Sequence, residues 1–131
     1  MEAQLIYLRD TDKSVEEATA DVEASVQRHG FGVLHTYDFK ETLHSKGFDL
    51  PNECRILEVC NPKQASEMLR SDMDVNMALP CRISVYEDAG QTKIGMIRPT
   101  ALLGLISESG RHREAAEEVE RTVVAIIEES I

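Results

Sequence analysis

The sequence of 131 residues contains no tryptophan, and only 5% of its residues are aromatic. Glycine and proline are also scarce, with seven and four residues, and the hydrophobic share of 42% is too high for a disordered or low-complexity chain. No apolar run approaches the ~18 residues that a membrane-spanning helix requires. The first residues show no basic stretch followed by an apolar run, so no secretory signal is predicted. We therefore expect one cytoplasmic domain over residues 1–131.

Basic residues are few relative to acidic ones, with 14 Lys+Arg against 24 Asp+Glu and a formal net charge of -10. Because this charge would repel nucleic-acid phosphates and anionic membrane surfaces, neither is expected as a partner. Much of the acidic excess falls on the predicted first and last helices, where it indicates a solvated surface. These acidic residues are Glu16, Glu17, Asp21, Glu23, Glu114, Glu117, Glu118 and Glu120.

The three cysteines, Cys54, Cys60 and Cys81, are an odd number and lack the CxxC spacing of a zinc or redox motif. Reduced thiols in a cytoplasm fit this pattern best. Two cysteines and a nearby histidine are suitable ligands for a soft metal, but nothing in the spacing supplies a third or fourth ligand. No metal site and no cofactor are therefore predicted.

Local signals predict strands and helices in mixed order. Ser14 and Glu17 form a capping box that starts the first helix, and Gly30 ends it. Asn61 and Pro62 are typical of a helix start as N-cap and first helical residue. The predicted strands cover 5–8, 31–37, 55–60, a segment from 79 and 93–97, and the predicted helices cover 14–29, 38–46, 62–71 and 111–129.

The clearest β signal is a hairpin that turns at residues 87–90. The apolar stretch 101–106 has no clear periodicity, and residues 107–110 form a break. This order, with no regular βαβ alternation, predicts an α+β fold in which helices pack on one face of a mainly antiparallel sheet.

The tripeptide Cys60-Asn61-Pro62 places a thiol at the end of a strand, directly before a helix. Unpaired backbone N–H groups and the helix dipole can stabilise a thiolate there and lower its pKa. Alternatively, Cys60 is a small buried hydrophobic residue that fills a tight corner. The sequence leaves both readings open.

A second thiol follows Pro80 at the start of a strand, in Leu79-Pro80-Cys81. If the strands of Cys60 and Cys81 run antiparallel, both sulfurs can lie at one end of the sheet; if parallel, about 20 Å separates them. Arg98 ends the fifth strand and is interpreted either as a cross-strand ion pair or as a ligand clamp.

Three segments together resemble the domain-of-unknown-function family 302 over roughly residues 12–100. They are Gly30-Phe31-Gly32-Val33-Leu34, Cys60-Asn61-Pro62 with Ala65, and Leu79-Pro80-Cys81 with Val85-Tyr86-Glu87. The resemblance implies a bacterial or archaeal α+β domain with a TATA-binding-protein-like sheet topology, expected to form a homodimer. It implies no activity, and it draws attention to Cys60, Asn61, Pro62, Pro80 and Cys81.

The leading hypothesis is a dimeric binding or sensing domain, with a small-molecule pocket where the two cysteine motifs approach each other. One alternative is a thiol enzyme or redox protein, with Cys60 as nucleophile and Cys81 as resolving thiol. Another is a structural or protein-interaction module with an apolar interface around Leu102, Leu105 and Ile106.

Overall fold

The computed structural model describes residues 5–106 and 112–131. Five antiparallel strands form one sheet in the order β1-β5-β4-β3-β2. Their bounds are β1 Ile6–Thr11, β2 Gly32–Asp38, β3 Cys54–Cys60, β4 Cys81–Asp88 and β5 Gln91–Ile97. The last strand along the chain therefore inserts beside the first, which places β1 and β2 at opposite edges.

Two long helices, α1 (Val15–Arg28) and α5 (Arg113–Ser130), pack side by side on one face of the sheet. The aliphatic side chains of alternate strand positions meet them there and form the core. The fully buried strand residues of this core are Leu57, Val59, Ile83, Val85 and Ile94. The predicted α+β class with a mainly antiparallel sheet is confirmed.

Three further helical segments lie at the end of the sheet where β3 finishes and β4 begins. They are α3 (Pro62–Ser71), a 3-10 helix (Met73–Ala78) and α4 (Pro99–Ile106). A short helix, α2 (Phe39–Ser45), lies at the opposite end, between β2 and β3. No helix among the described residues is long and apolar enough to cross a membrane.

The helix boundaries follow from local hydrogen bonds that the sequence indicates. The Ser14 hydroxyl accepts the Glu17 N–H at 3.1 Å, and Glu17 Oε1 accepts the Ser14 N–H, so the capping box is complete. Gly30 adopts a φ of +80°, which allows the Phe31 N–H to donate back to the Val26 carbonyl and end α1.

Several boundaries differ from the sequence-based expectation. The first strand extends to Thr11 rather than ending at residue 8, and the ambiguous stretch 101–106 is helical as part of α4. The 3-10 helix was not predicted, and α5 begins at Arg113 rather than at residue 111. The predicted break at 107–110 lies outside the described residues.

Candidate functional site

The face of the sheet that α1 and α5 leave uncovered carries a row of directly paired residues. Across the strands, Leu8 pairs with Gly95, Gly95 with Ser84, Ser84 with Ile56, and Ile56 with Tyr37. Two small residues thus occupy the middle of the row and larger ones flank them. We call this surface the open face.

Gly95 has a specific steric role in this row. A Cβ at this position would lie 2.6 Å from Leu8 Cδ1 and 3.0 Å from the Tyr7 carbonyl oxygen. The Leu8 side chain can therefore lean over β5 only because position 95 has no side chain. Together, Gly95 and Ser84 create a depression in the centre of the open face.

The depression is part of a cavity of about 580 Å³, within the range of small-molecule sites, whose lining also includes the core residues Met96, Leu103 and Val119. Apolar side chains form its β1 and β5 side, including Ile6, Leu8 and Ile97. The end formed by the 3-10 helix and α4 contributes Met77 and Leu102. Residues 79–81, which include Pro80 and Cys81, also line it.

The polar groups of the cavity lie on the β3 and β4 side. Arg82, Ser84 and Tyr86 occupy alternate positions of β4, and Glu58 of β3 pairs with Arg82. The Arg82 guanidinium nitrogen lies 3.7 Å from Glu58 Oε2, and the Tyr37 hydroxyl donates to Glu58 Oε1 at 3.3 Å. The cavity therefore has one polar wall and one apolar wall.

The two cysteine motifs meet at the end of the sheet. Strands β3 and β4 are antiparallel and Val59 pairs with Cys81, so Cys60 lies one position beyond the residue opposite Cys81. Cys60, Asn61, Pro80 and Cys81 line a common space of about 20 Å³. That volume is close to the minimum for a single water molecule, so it cannot hold a metabolite.

Burial raises the pKa of the Cys60 thiol above its ordinary value. It raises the pKa of Cys81 to about 11, with a smaller contribution from Cys60 itself. Of the two readings of Cys60, the raised pKa favours the partly buried hydrophobic residue over the stabilised thiolate. Both thiols are protonated at neutral pH, which argues against the thiol-enzyme alternative.

Asn61 and Pro62 have a structural role at the start of α3. The Asn61 Oδ1 accepts the Gln64 N–H at 3.1 Å, and Pro62 is the first helical residue. The Asn61 cap satisfies a backbone donor that would otherwise be unpaired. Pro62 lines neither the 580 Å³ cavity nor the 20 Å³ space between the cysteines.

Arg98 follows the end of β5, and its side chain binds the helical layer. Its Nη1 donates to Glu120 Oε2 of α5 at 3.1 Å, and its guanidinium lies 5.2 Å from the centre of the Tyr7 ring. Arg98 does not line the large cavity. Arg98 is therefore neither paired across the hairpin nor part of the large cavity, because its charge partner is Glu120 in the helical layer.

A second, polar cavity of about 350 Å³ lies beside α2. Its charged groups pair with one another: Lys40 with Glu53 at 3.2 Å, and Arg55 with Asp38 at 3.4 Å. Within the described parts of the chain, no group of three or more His, Cys, Asp or Glu is placed to hold a metal ion. The open-face cavity is therefore the stronger candidate for a ligand site.

Most residues of the open-face cavity were not singled out by the sequence. Pro80 and Cys81 were, whereas Glu58, Arg82 and Ser84 carry no recognisable motif. One signal was present: Gly95 is an isolated glycine inside a predicted strand, which is typical of close approach by another chain segment.

Comparisons with known proteins agree with this architecture. The model of the family described as "Domain of unknown function DUF302" matches residues 7–130. The crystal structure of an uncharacterised conserved DUF302 protein from Bacillus stearothermophilus superimposes with a TM-score of 0.91 at 35% sequence identity. The match covers 98% of this chain and 100% of that one. A search of the curated proteins found no match. The chain belongs to the DUF302 family, whose function is not established.

Proposed function

We propose that this protein binds a small molecule with an apolar body in the cavity on the open face of the sheet. The observation that carries the proposal is the paired row Leu8-Gly95-Ser84-Ile56, in which small residues at the centre create a concave and largely apolar space. A sheet face that only contacted water would carry polar side chains there. Its volume suits a metabolite-sized ligand.

The binding can be measured with N-phenyl-1-naphthylamine, a neutral apolar dye that fluoresces when it leaves water. Because the chain has no tryptophan, intrinsic indole fluorescence does not interfere. We expect saturable binding at one site per chain. Ser84→Leu should weaken the binding at least tenfold, because the longer side chain fills the centre of the cavity.

Ser66→Leu is the matched control, since it makes the same change on an exposed position of α3 that does not line the cavity. It should leave the affinity for the dye unchanged. Non-saturable dye binding, or equal losses in both variants, would refute the proposal.

We further propose that the protein works as a homodimer in which the open faces of two copies meet. Exposed apolar side chains support this: Ile6 is 57% and Ile97 50% exposed on this face. Helices α1 and α5 carry ten acidic residues and three arginines, so a second copy would be repelled from the helical layer. On the open face, by contrast, Lys93 Nζ lies 3.0 Å from Asp10 Oδ1, so these two charges offset each other.

The size of the face is compatible with a dimer. Five strands of six to eight residues cover about 24 Å by 22 Å, a flat footprint of about 500 Å². Because side chains protrude from the sheet, the accessible area exceeds this flat footprint and approaches the ~800 Å² per partner of a standard interface. In such a dimer the second copy closes the cavity from solvent.

A further inference from the structure

The polar side of the open-face cavity presents hydrogen-bond donors that the chain itself leaves unused. Arg82, Ser84 and Tyr86 point in the same direction from alternate positions of β4, spaced about 7 Å apart. Among the described residues, neither the Ser84 hydroxyl nor the Tyr86 hydroxyl has a hydrogen-bond partner. The donors form one row along the cavity wall.

The Arg82 guanidinium is also available to a ligand. Its contact with Glu58 is 3.7 Å, longer than a hydrogen bond, and its side chain is 63% exposed. Glu58, by contrast, is only 16% exposed and accepts the Tyr37 hydroxyl. The cavity therefore offers two hydroxyls and a cation that is close to a carboxylate but not hydrogen-bonded to it, while that carboxylate is covered and accepts the Tyr37 hydroxyl.

Opposite this row, at a distance of two strand spacings or about 10 Å, the wall is apolar. Ile6 and Leu8 of β1 form it, and Ile97 of β5 lies between them and β4. A ligand that satisfies both walls needs an acceptor-rich anionic group at one end and an apolar body at the other. A carboxylate suits the arginine, since the planar guanidinium can donate two parallel hydrogen bonds to its oxygens.

We propose that the ligand is a medium-sized amphipathic carboxylate, with the carboxylate on Arg82 and the apolar body against β1 and β5. This inference rests on the proposed binding function and specifies the class of molecule. An amine would face the Arg82 cation instead, and an alcohol would leave the guanidinium without a charged partner.

The test is displacement of N-phenyl-1-naphthylamine by decanoate, decanol and decylamine, which share one apolar chain. Measurements at 0.15 M salt limit the repulsion of the anion by the acidic helices, because the screening length is then about 8 Å. We expect decanoate to displace the dye at least tenfold more tightly than decanol, and decylamine to be weakest.

Arg82→Gln should remove the preference for decanoate over decanol, and Arg82→Lys should retain part of it. Arg70→Gln, which removes an exposed arginine of α3, should retain all of it. Each preference is a ratio within one variant, so it is independent of that variant's affinity for the dye.

The outcomes separate this inference from the function on which it rests. If the wild type fails to bind the dye saturably, the binding function itself fails. If the dye binds but decanoate and decanol displace it equally, only the carboxylate class is overturned. If Arg82→Gln dissociates the dimer and keeps the preference, Arg82 contacts the partner copy rather than the ligand, and the inference is also overturned.

Discussion

Removal of the Glu120 carboxylate should detach α4 from α5 and lower the stability of the protein. Glu120 Oε1 accepts the backbone N–H of Thr100 at 3.0 Å and its hydroxyl at 2.7 Å. The other oxygen accepts Arg98 Nη1 at 3.1 Å. One side chain of α5 thus binds the first turn of α4, which carries Leu102 into the cavity wall.

The magnitude follows from what Glu120→Ala leaves behind. The Arg98 guanidinium, whose Nε has no hydrogen-bond partner in the described part of the chain, loses its counter-charge, and both Thr100 donors lose their acceptor. Breaking a fully buried ion pair costs about 3–5 kcal/mol. Because the Arg98 and Glu120 side chains here remain 25% and 16% exposed, water compensates in part, and we expect a loss of about 2–3 kcal/mol.

Urea unfolding followed by far-ultraviolet circular dichroism measures this loss. Glu117→Ala is the matched control on the same helix, since within residues 5–106 and 112–131 Glu117 makes only an exposed contact with Arg113 at 3.5 Å. The control should change the free energy of unfolding by less than about 0.5 kcal/mol. Equal destabilisation of the two variants would refute the structural role assigned to Glu120.

The same carboxylate should make stability depend on pH. Burial by itself raises the pKa of Glu120, but the hydrogen bonds from Thr100 and Arg98 outweigh it and lower the pKa below its ordinary value. The stabilisation is therefore complete above the unfolded-state pKa of about 4.3 and is lost as the pH falls through the folded-state pKa. The stability gap between wild type and Glu120→Gln should be constant near neutral pH and narrow below pH ~4.

Three further outcomes are expected. Gly95→Val should destabilise the protein by about 1–3 kcal/mol in thermal unfolding, because a Cβ there would lie 2.6 Å from a side-chain atom of β1. In light scattering coupled to size exclusion, Ile97→Lys should yield a monomer, whereas Leu105→Lys on α4 should remain a dimer. The reverse result would place the dimer interface on α4, where Leu105 is 78% exposed. In native alkylation at pH 8, followed by mass spectrometry, Cys81 should react more slowly than Cys60. The pKa of the Cys81 thiol is about 11, and this thiol is more deeply buried than that of Cys60. Equal alkylation rates for the two cysteines would contradict this prediction.

Local chemistry made much of the fold predictable. The bounds of α3 were predicted to the residue, since Asn61 and Pro62 act through their own backbone. The helix α4 was not predicted, because its apolar side chains face the core, the cavity and solvent in turn and leave no periodicity. Leu103 is buried, Leu102 lines the cavity and Leu105 is exposed.

The cavity could not be predicted in the same way, because strand pairing between distant segments creates it. Gly95 and Ser84 form a depression only once β5 lies between β1 and β4, and that order joins the first strand to the last. Cys60 and Cys81 are conspicuous in the sequence as rare residue types at strand ends. Their approach also required the antiparallel pairing of β3 with β4, and the space between them proved too small for a ligand.

The side chains of β1 indicate that the open face binds a ligand or another chain and is not simply exposed to water. In a two-layer α+β fold, a strand normally turns apolar residues toward the helices and polar residues outward. Strand β1 does the opposite at its centre: Tyr7 and Arg9 reach Glu128 of α5, while Ile6 and Leu8 point away from the helices into the cavity. In a monomer this arrangement leaves the side chains of Ile6 and Leu8 exposed to water and so gives no hydrophobic stabilisation. An apolar ligand or a second copy of the chain would bury them and stabilise the arrangement. The inversion of β1 therefore agrees with the Gly95–Ser84 depression, whose apolar wall Ile6 and Leu8 also form.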